Sequence, residues 1–100
     1  MIKLTVLYGH PTDAAAFEDY YASTHIPLVL QMKGHDKAEF TKFTTGPDGA
    51  QAAYYRMAEF WFAGLEAMQE TMGSAEGQAT SADLANFATG GVTFLVGEVS

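Results

Sequence analysis

The sequence has no cysteine among its 100 residues, and few of its side chains carry a positive charge. Without thiols the chain cannot form disulfide bonds, use thiolate catalysis or build a cysteine-ligated zinc site. Only five lysines and arginines stand against twelve aspartates and glutamates, which gives a formal net charge of −7. So few cations cannot neutralise many phosphates, and this disfavours both nucleic acids and anionic membrane surfaces as partners.

Long apolar runs are also missing, because none approaches the ~20 residues of a membrane-spanning helix. The opening residues 1–6, MIKLTV, alternate like a strand and lack the apolar block and cleavage site of a signal peptide. We therefore expect a cytoplasmic protein. What the chain does have is apolar surface, since 48% of its residues are hydrophobic and 13% are aromatic. This composition excludes intrinsic disorder, and the length predicts a single domain over residues 1–100.

The order of the predicted elements indicates the fold. Alternating apolar and polar positions predict four strands, at residues 2–9, 37–45, 54–62 and 92–99. Helical spacing predicts helices at residues 13–34, 64–72 and 75–87. Thr12 or Asp13 can cap the first helix and Gly34 can end it, while Ser74 can cap the last one. The order β-α-β-β-α-β predicts an α+β, ferredoxin-like fold, with a four-stranded antiparallel sheet and the helices on one face.

The first predicted helix has an irregularity near its middle. Pro27 removes one backbone donor and should leave the carbonyl of Ser23 without its usual partner. His25 lies beside this defect and close to the apolar stripe of the helix. A titratable ring next to a helix irregularity and two tyrosines indicates a candidate site.

The predicted strands are apolar on both faces. The third strand places Met57 and Trp61 on one side, with Tyr55, and places Ala58 and Phe60 on the other. Two helices cover only one face of such a sheet, and a second face in water should be polar. A second copy related by a two-fold axis would supply the missing layer. We therefore expect a homodimer with the two sheets packed face to face.

Several segments resemble a known family. Residues 17–34, FEDYYASTHIPLVLQMKG, are similar to the signature region of the EthD-like family, named for ethyl tert-butyl ether degradation. Residues 1–11, MIKLTVLYGHP, and 58–68, AEFWFAGLEAM, resemble the same family. The resemblance implies a dimeric α+β barrel, in which ligands lie between the helices and the sheet of each subunit. Relatives in that superfamily include cofactor-free monooxygenases of polycyclic aromatic substrates, muconolactone isomerases and haem enzymes.

His25 is the candidate catalytic residue, because an imidazole titrates near neutral pH and can move a proton. The alternatives are a core or capping histidine satisfied by a carbonyl, and a haem ligand. The candidates for substrate contact are aromatic or polar side chains: Phe17, Tyr20, Tyr21, Trp61, Arg56 and His10. Each has a structural alternative, since aromatics pack in cores, Arg56 can pair with Glu39 or Glu59, and His10 can lie in an exposed turn.

No metal or cofactor is expected. His10, His25 and His35 lack the spacing of metal ligands, and His35 should be solvated.

Three functions stay open. The first is binding of an apolar or aromatic, oxygen-bearing small molecule between helices and sheet, for example in a degradation pathway. The second is a cofactor-free monooxygenase or isomerase of aromatic or polyketide-like substrates, and the third is a non-enzymatic accessory dimer.

Overall fold

The computed structural model describes residues 1–100 and contains one antiparallel sheet. Its strands are β1 (Ile2–Tyr8), β2 (Lys37–Lys42), β3 (Arg56–Phe62) and β4 (Val92–Glu98), in the order β2-β3-β1-β4. Every neighbouring pair is antiparallel, and the helices cover one face of the sheet. The predicted ferredoxin-like fold is confirmed. Each strand is one to three residues shorter than its predicted range.

The connection from β1 to β2 contains a helix in three parts. These are α1 (Ala14–Tyr20), a π-helical turn (Tyr21–His25) and α2 (Ile26–Val29). Asp13 caps the start of α1, because its Oδ1 accepts a hydrogen bond from the Ala16 amide at 3.1 Å. The irregularity predicted beside Pro27 is confirmed and takes the form of the π turn, whereas the predicted C-terminal end at residue 34 is wrong, because α2 ends at Val29.

The connection from β3 to β4 contains a broken helix, as predicted. Its parts are α3 (Leu65–Gly73), α4 (Ala75–Asp83) and a 3₁₀ turn (Leu84–Asn86). Ser74 caps α4, since its Oγ accepts from the Gly77 amide at 3.1 Å. None of the helices in the structure has the length and apolar character that a bilayer crossing requires.

Gly34 lies five residues beyond the last residue of α2 and does not end that helix. Its φ of 96° is one that other residues resist, and a Cβ at this position would collide with Thr71 Oγ1. That hydroxyl donates to the Lys33 carbonyl at 2.6 Å. Glycine is therefore required here because the connection packs closely against α3.

The core lies between the helices and the sheet. The strand residues that face the helices and are buried are Leu4, Val6, Tyr8, Ala58, Phe60 and Phe62. Alternation places Trp61 and Glu59 on the outer face, where Lys3 pairs with Glu59 at 3.0 Å. Lys37 lies 4.7 Å from the centre of the Trp61 ring. The outer face is thus more polar than the sequence pattern predicts, because these lysines cover part of its apolar surface.

Strand β4 forms one edge of the sheet and leaves apolar side chains exposed. Phe94 and Val96 lie on the same face as the helices, opposite Val6 and Leu4, yet both remain about half exposed. Leu95 points to the outer face and is 52% exposed. The helices of one chain therefore leave this edge uncovered.

Candidate functional site

The π-helical turn keeps the rings of Tyr21 and His25 over the sheet. Phe17, Tyr21, His25 and Val29 are all buried and lie four residues apart. In a regular α-helix each step of four overshoots a full turn by roughly 40°, so such a row drifts around the helix. The wider π turn, in which the Ile26 amide donates to the carbonyl of Tyr21 five residues back, offsets that drift. Pro27 follows directly and has no amide hydrogen with which to continue the α-helical pattern.

His25 is buried, with 2% of its surface exposed, and Asp83 holds its ring. His25 Nδ1 lies 2.9 Å from Asp83 Oδ2. The other oxygen, Oδ1, accepts from the Tyr20 hydroxyl at 2.6 Å and from Asn86 Nδ2 at 3.0 Å. Burial alone would raise the pKa of this carboxyl, but the hydrogen bonds from Tyr20, Asn86 and His25 outweigh it and hold the pKa below its ordinary value. Asp83 is therefore a carboxylate that accepts the Nδ1 hydrogen.

This arrangement fixes the tautomer of His25. Burial lowers its pKa against the opposing attraction of Asp83, so the ring is neutral at neutral pH. With the hydrogen on Nδ1, Nε2 is an acceptor, and the Tyr8 hydroxyl is the donor in its long contact with Nε2. Nε2 lies on the far side of the ring, 3.4 Å from the Tyr8 hydroxyl. A neutral imidazole oriented by a carboxylate in this way has the geometry of a general base.

His25 and Tyr8 both line a narrow cavity between the helices and the sheet. Its water-accessible volume is about 30 Å³, and twelve of its fifteen lining residues are hydrophobic. Leu4 and Phe60 contribute to the sheet side of the cavity. An apolar cavity with a few polar groups is the usual form of a small-molecule site.

Tyr21 supplies a further polar group to the cavity, which Thr80 and Ser81 also line. Its hydroxyl is buried and has no hydrogen-bond partner. Its ring packs nearly parallel to that of His25, at 5.9 Å, and the guanidinium of Arg56 lies 4.7 Å from the ring centre. Burial raises the pKa of Tyr21 to about 12 and raises that of Tyr8 too, so both hydroxyls stay protonated. An unpartnered buried hydroxyl indicates a place for a ligand oxygen or a water.

Arg56 pairs with Glu18 of α1, through contacts of 2.6 Å and 2.9 Å. The Tyr55 hydroxyl donates to the same carboxylate at 3.0 Å, which places Tyr55 on the helix side rather than with Trp61. The predicted pairing of Arg56 with Glu39 or Glu59 is wrong. Side chains alternate along β3, so Glu59, and Glu39 opposite it, face away from Arg56.

Comparison with known proteins decides the family. The model of the EthD domain matches residues 9–91 of this chain. The chain belongs to the EthD family. An uncharacterized 11.0 kDa protein of Rhodococcus erythropolis, from the thcB-thcC intergenic region, is 38% identical over 99 residues, which cover 95% of this chain and 91% of the relative. The crystal structure of an EthD family protein from Bacillus halodurans is 33% identical, with a TM-score of 0.92, and the match covers 100% of this chain and 99% of that one.

Two more distant crystal structures share the EthD fold alone. A dimeric ferredoxin-like protein from Thermobifida fusca is 12% identical, with a TM-score of 0.74 and coverage of 98% of this chain and 90% of that one. SnoaB, a cofactor-independent oxygenase from Streptomyces nogalater, is 10% identical, with a TM-score of 0.64 and the same two coverages. The resemblance predicted from residues 17–34 is confirmed at the level of the family.

The structure brings only His25 and Tyr21 of the predicted site residues into the cavity of this EthD chain. Tyr20 reaches the cavity indirectly, through Asp83, and itself lines a separate surface cleft with Phe17. Trp61 lies on the outer face of the sheet. His10 Nε2 lies 2.7 Å from the Ala52 carbonyl, so this side chain fixes the loop between β2 and β3.

His35 is also placed differently from its prediction. The sequence predicts a solvated side chain, but the ring packs edge-on against Phe60 and Phe62, at 5.8 Å and 6.4 Å. Its Nδ1 is buried without a partner. The cause is the close packing of the connection before β2, which carries the ring over the sheet.

Sequence reasoning does not identify Asp83 or Tyr8, although a signal exists for each. Asp83 lies three residues after Thr80 and four before Phe87, and all three are buried, so it shares the inward face of its helix. A carboxylate on such a face needs hydrogen-bond donors. Tyr8 continues the inward row of β1, which places a hydroxyl at the buried end of the strand.

No group of three or more histidine, aspartate or glutamate side chains is placed to hold a metal ion. The cavity beside His25 has no room for a macrocycle such as haem.

Proposed function

We propose that the protein binds a small, apolar, oxygen-bearing molecule between the helices and the sheet, and that His25 acts there as a general acid–base. The observation that carries the proposal is the buried pair of His25 and Asp83, at 2.9 Å. Asp83 accepts a hydrogen bond from Nδ1, so Nε2 is an acceptor beside the cavity. The proposal is supported by the surroundings of Nε2, because its only partner is the Tyr8 hydroxyl at a long 3.4 Å, and the buried Tyr21 hydroxyl of the same cavity has no partner.

The chemistry follows from the donors and acceptors. Nε2 can take a proton from an O–H group or from a C–H group next to a carbonyl. The hydroxyls of Tyr8 and Tyr21 can donate to the oxygen on which negative charge develops. Such donors are more effective in a dry cavity than in water. Return of the proton to another atom of the same molecule is an isomerisation, and it needs no cofactor.

Cofactor-independent oxygenation is the second candidate function. It is supported by the fold shared with SnoaB, whose described activity also needs no cofactor. Proton loss to His25 would give an electron-rich anion that reacts directly with dioxygen. Consumption of dioxygen separates the two functions, because isomerisation consumes none. In the third case, an accessory protein without enzymatic activity, the ligand would bind and neither change would occur.

The test is exchange of carbon-bound hydrogen for deuterium in small carbonyl compounds, followed by NMR in heavy water. The exchange rate with His25→Asn should be about 10²–10⁴-fold lower than with the wild type. His10→Asn is the matched control and should keep the wild-type rate, because His10 lies outside the cavity. If His25→Asn exchanges at the wild-type rate, His25 has no catalytic role.

We also propose that the protein is a homodimer that associates through its sheet. The outer face carries Leu7, Met57 and Trp61, which are only partly covered, and the exposed Leu95. The protein from Thermobifida fusca, which shares the fold, is described as dimeric. A stable interface of this kind should bury more than ~1,200 Å² and be largely apolar at its centre.

A further inference from the structure

We infer that the cavity accepts a small neutral carbonyl compound with an acidic hydrogen, such as a β-dicarbonyl, and rejects its anionic counterparts. This inference rests on the proposed function, because it assigns the ligand class of the same cavity. It follows from the hydrogen-bonding groups that the cavity offers and from the charges around it.

The hydroxyls of Tyr8 and Tyr21 and the ring of His25 define a short pattern of donors and acceptors. Thr80 and Ser81 also line the cavity, and the Thr80 hydroxyl donates to the Glu76 carbonyl at 2.8 Å. The Tyr21 hydroxyl has no partner although the residue is only 4% exposed. The Tyr8 hydroxyl has only a long contact, 3.4 Å, to His25 Nε2. Nε2 is an acceptor because Asp83 binds the hydrogen on Nδ1. A carbonyl oxygen satisfies hydroxyl donors, and an enol O–H or an acidic C–H satisfies the nitrogen. A β-dicarbonyl compound carries both features within a few bonds.

The charges around the cavity oppose an anion. No lysine or arginine lines it. Arg56 lies behind the Tyr21 ring, and its guanidinium is already bonded twice to Glu18. Asp83 places a carboxylate on the far side of His25. A ligand carboxylate beside Nε2 would therefore be buried without a counterion and close to a like charge, which is costly.

The apolar part of the cavity limits the size of the ligand. A water-accessible volume of about 30 Å³ leaves space for a body of few carbons rather than for a polycyclic one. Phe40 and Phe94 line the cavity from the two edge strands, and both remain partly exposed. The cavity can therefore exchange its contents with solvent near the edges of the sheet.

Two matched probes test the ligand class. 2,4-Pentanedione and acetoacetate have similar shapes, but at neutral pH the first is neutral and the second is an anion. Binding is measured by calorimetry and by the ring resonances of His25, and requires no turnover. We expect pentanedione to bind at least about tenfold more tightly than acetoacetate. Tyr21→Phe should weaken pentanedione binding by about threefold to tenfold, because it removes one hydrogen bond.

Tyr54→Phe is the control, because Tyr54 is partly exposed and does not line the cavity. It should leave both affinities unchanged. Acetoacetate binding as tightly as pentanedione would overturn the inference, and so would failure of both probes to bind in the millimolar range. Binding of pentanedione without proton exchange that depends on His25 would leave the ligand class standing and remove only the catalytic role.

Discussion

At the scale of single residues, the two oxygens of Asp83 have different partners. Oδ2 accepts from His25, while Oδ1 accepts from Tyr20 and Asn86. Donors on Oδ1 draw negative charge away from the imidazole, so they weaken the stabilisation of a protonated His25. On the proposed function, we expect Tyr20 to act as a positioning residue, because it reaches His25 through Asp83 and does not line the cavity.

This role predicts the effect of Tyr20→Phe. Loss of the hydroxyl leaves more charge on the carboxylate for His25, so the pKa of His25 should rise above its wild-type value. The measurement is an NMR titration of the ring C–H resonances. Tyr54→Phe serves as the control and should give the wild-type titration. A pKa of His25 that stays the same or falls in Tyr20→Phe would show that Tyr20 only fills space.

The buried, neutral His25 also predicts a dependence of stability on pH. Its folded-state pKa is lowered by burial from an ordinary value of 6.5, so the unfolded chain takes up this proton at a higher pH than the folded chain does. The stabilisation is therefore fully present above the unfolded pKa and is lost as the pH falls through the folded one. Urea unfolding at about pH 7.5 and about pH 5.5 should show a larger loss of stability in the wild type than in His25→Gln. His10→Gln should behave like the wild type, and equal losses in all three proteins would contradict the assignment.

At the scale of secondary-structure elements, Glu18 joins α1 to the sheet through ion pairs with Arg56 at 2.6 Å and with Lys42 at 3.8 Å. Glu18 on α1 accepts two hydrogen bonds from Arg56 on β3 and one from Tyr55. These contacts hold the pKa of Glu18 below its ordinary value, chiefly through the hydrogen bond from Arg56. They also fix the Arg56 guanidinium against the Tyr21 ring, and so support the cavity wall from behind.

The pair of Glu18 and Arg56 predicts that Glu18 contributes more to stability than Glu39 does. Glu18→Ala should destabilise the fold by about 1–3 kcal/mol, because it leaves a largely buried guanidinium without its partner. Glu39→Ala removes the partner of Lys37 in an exposed pair and should cost less than about 1 kcal/mol. Denaturant unfolding of both variants gives the comparison. Similar losses for the two would show that the Arg56 pair contributes no more than a surface pair.

The elements also show where sequence reasoning succeeds and where it fails. The capping of α4 by Ser74 was predictable because a hydroxyl at a helix break has a local role. The π turn was not predictable in form, since Pro27 marks a defect but does not say whether the helix bends, stops or widens. The partner of Arg56 depends on which face of β3 points toward α1. Strand β3 begins two residues later than predicted, but this does not change the face on which Arg56 lies. The prediction failed because Glu59, and Glu39 opposite it, lie on the other face of the sheet.

At the scale of the whole molecule, the fold follows from the order and periodicity of the elements, while the site depends on contacts between distant segments. His25 and Asp83 are 58 positions apart, and no local pattern joins them. The helical irregularity beside His25 could be found from sequence because it depends on neighbours. Its carboxylate partner could not, because only the packing of α4 on the π turn brings the two side chains together.

The exposed apolar surface of the sheet yields the last prediction. Leu95 is 52% exposed on the outer face of β4, and Leu30 is 71% exposed just beyond α2. If two sheets pack face to face, Leu95→Glu places an unpaired charge in the interface, and such a charge destabilises association strongly. Leu30→Glu places the same charge on the helix side, away from that interface, where water can solvate it. Light scattering at micromolar concentration should therefore report a dimer for the wild type and for Leu30→Glu, and a folded monomer for Leu95→Glu. A monomeric wild type would refute the homodimer, and a dimeric Leu95→Glu would place the interface on another surface.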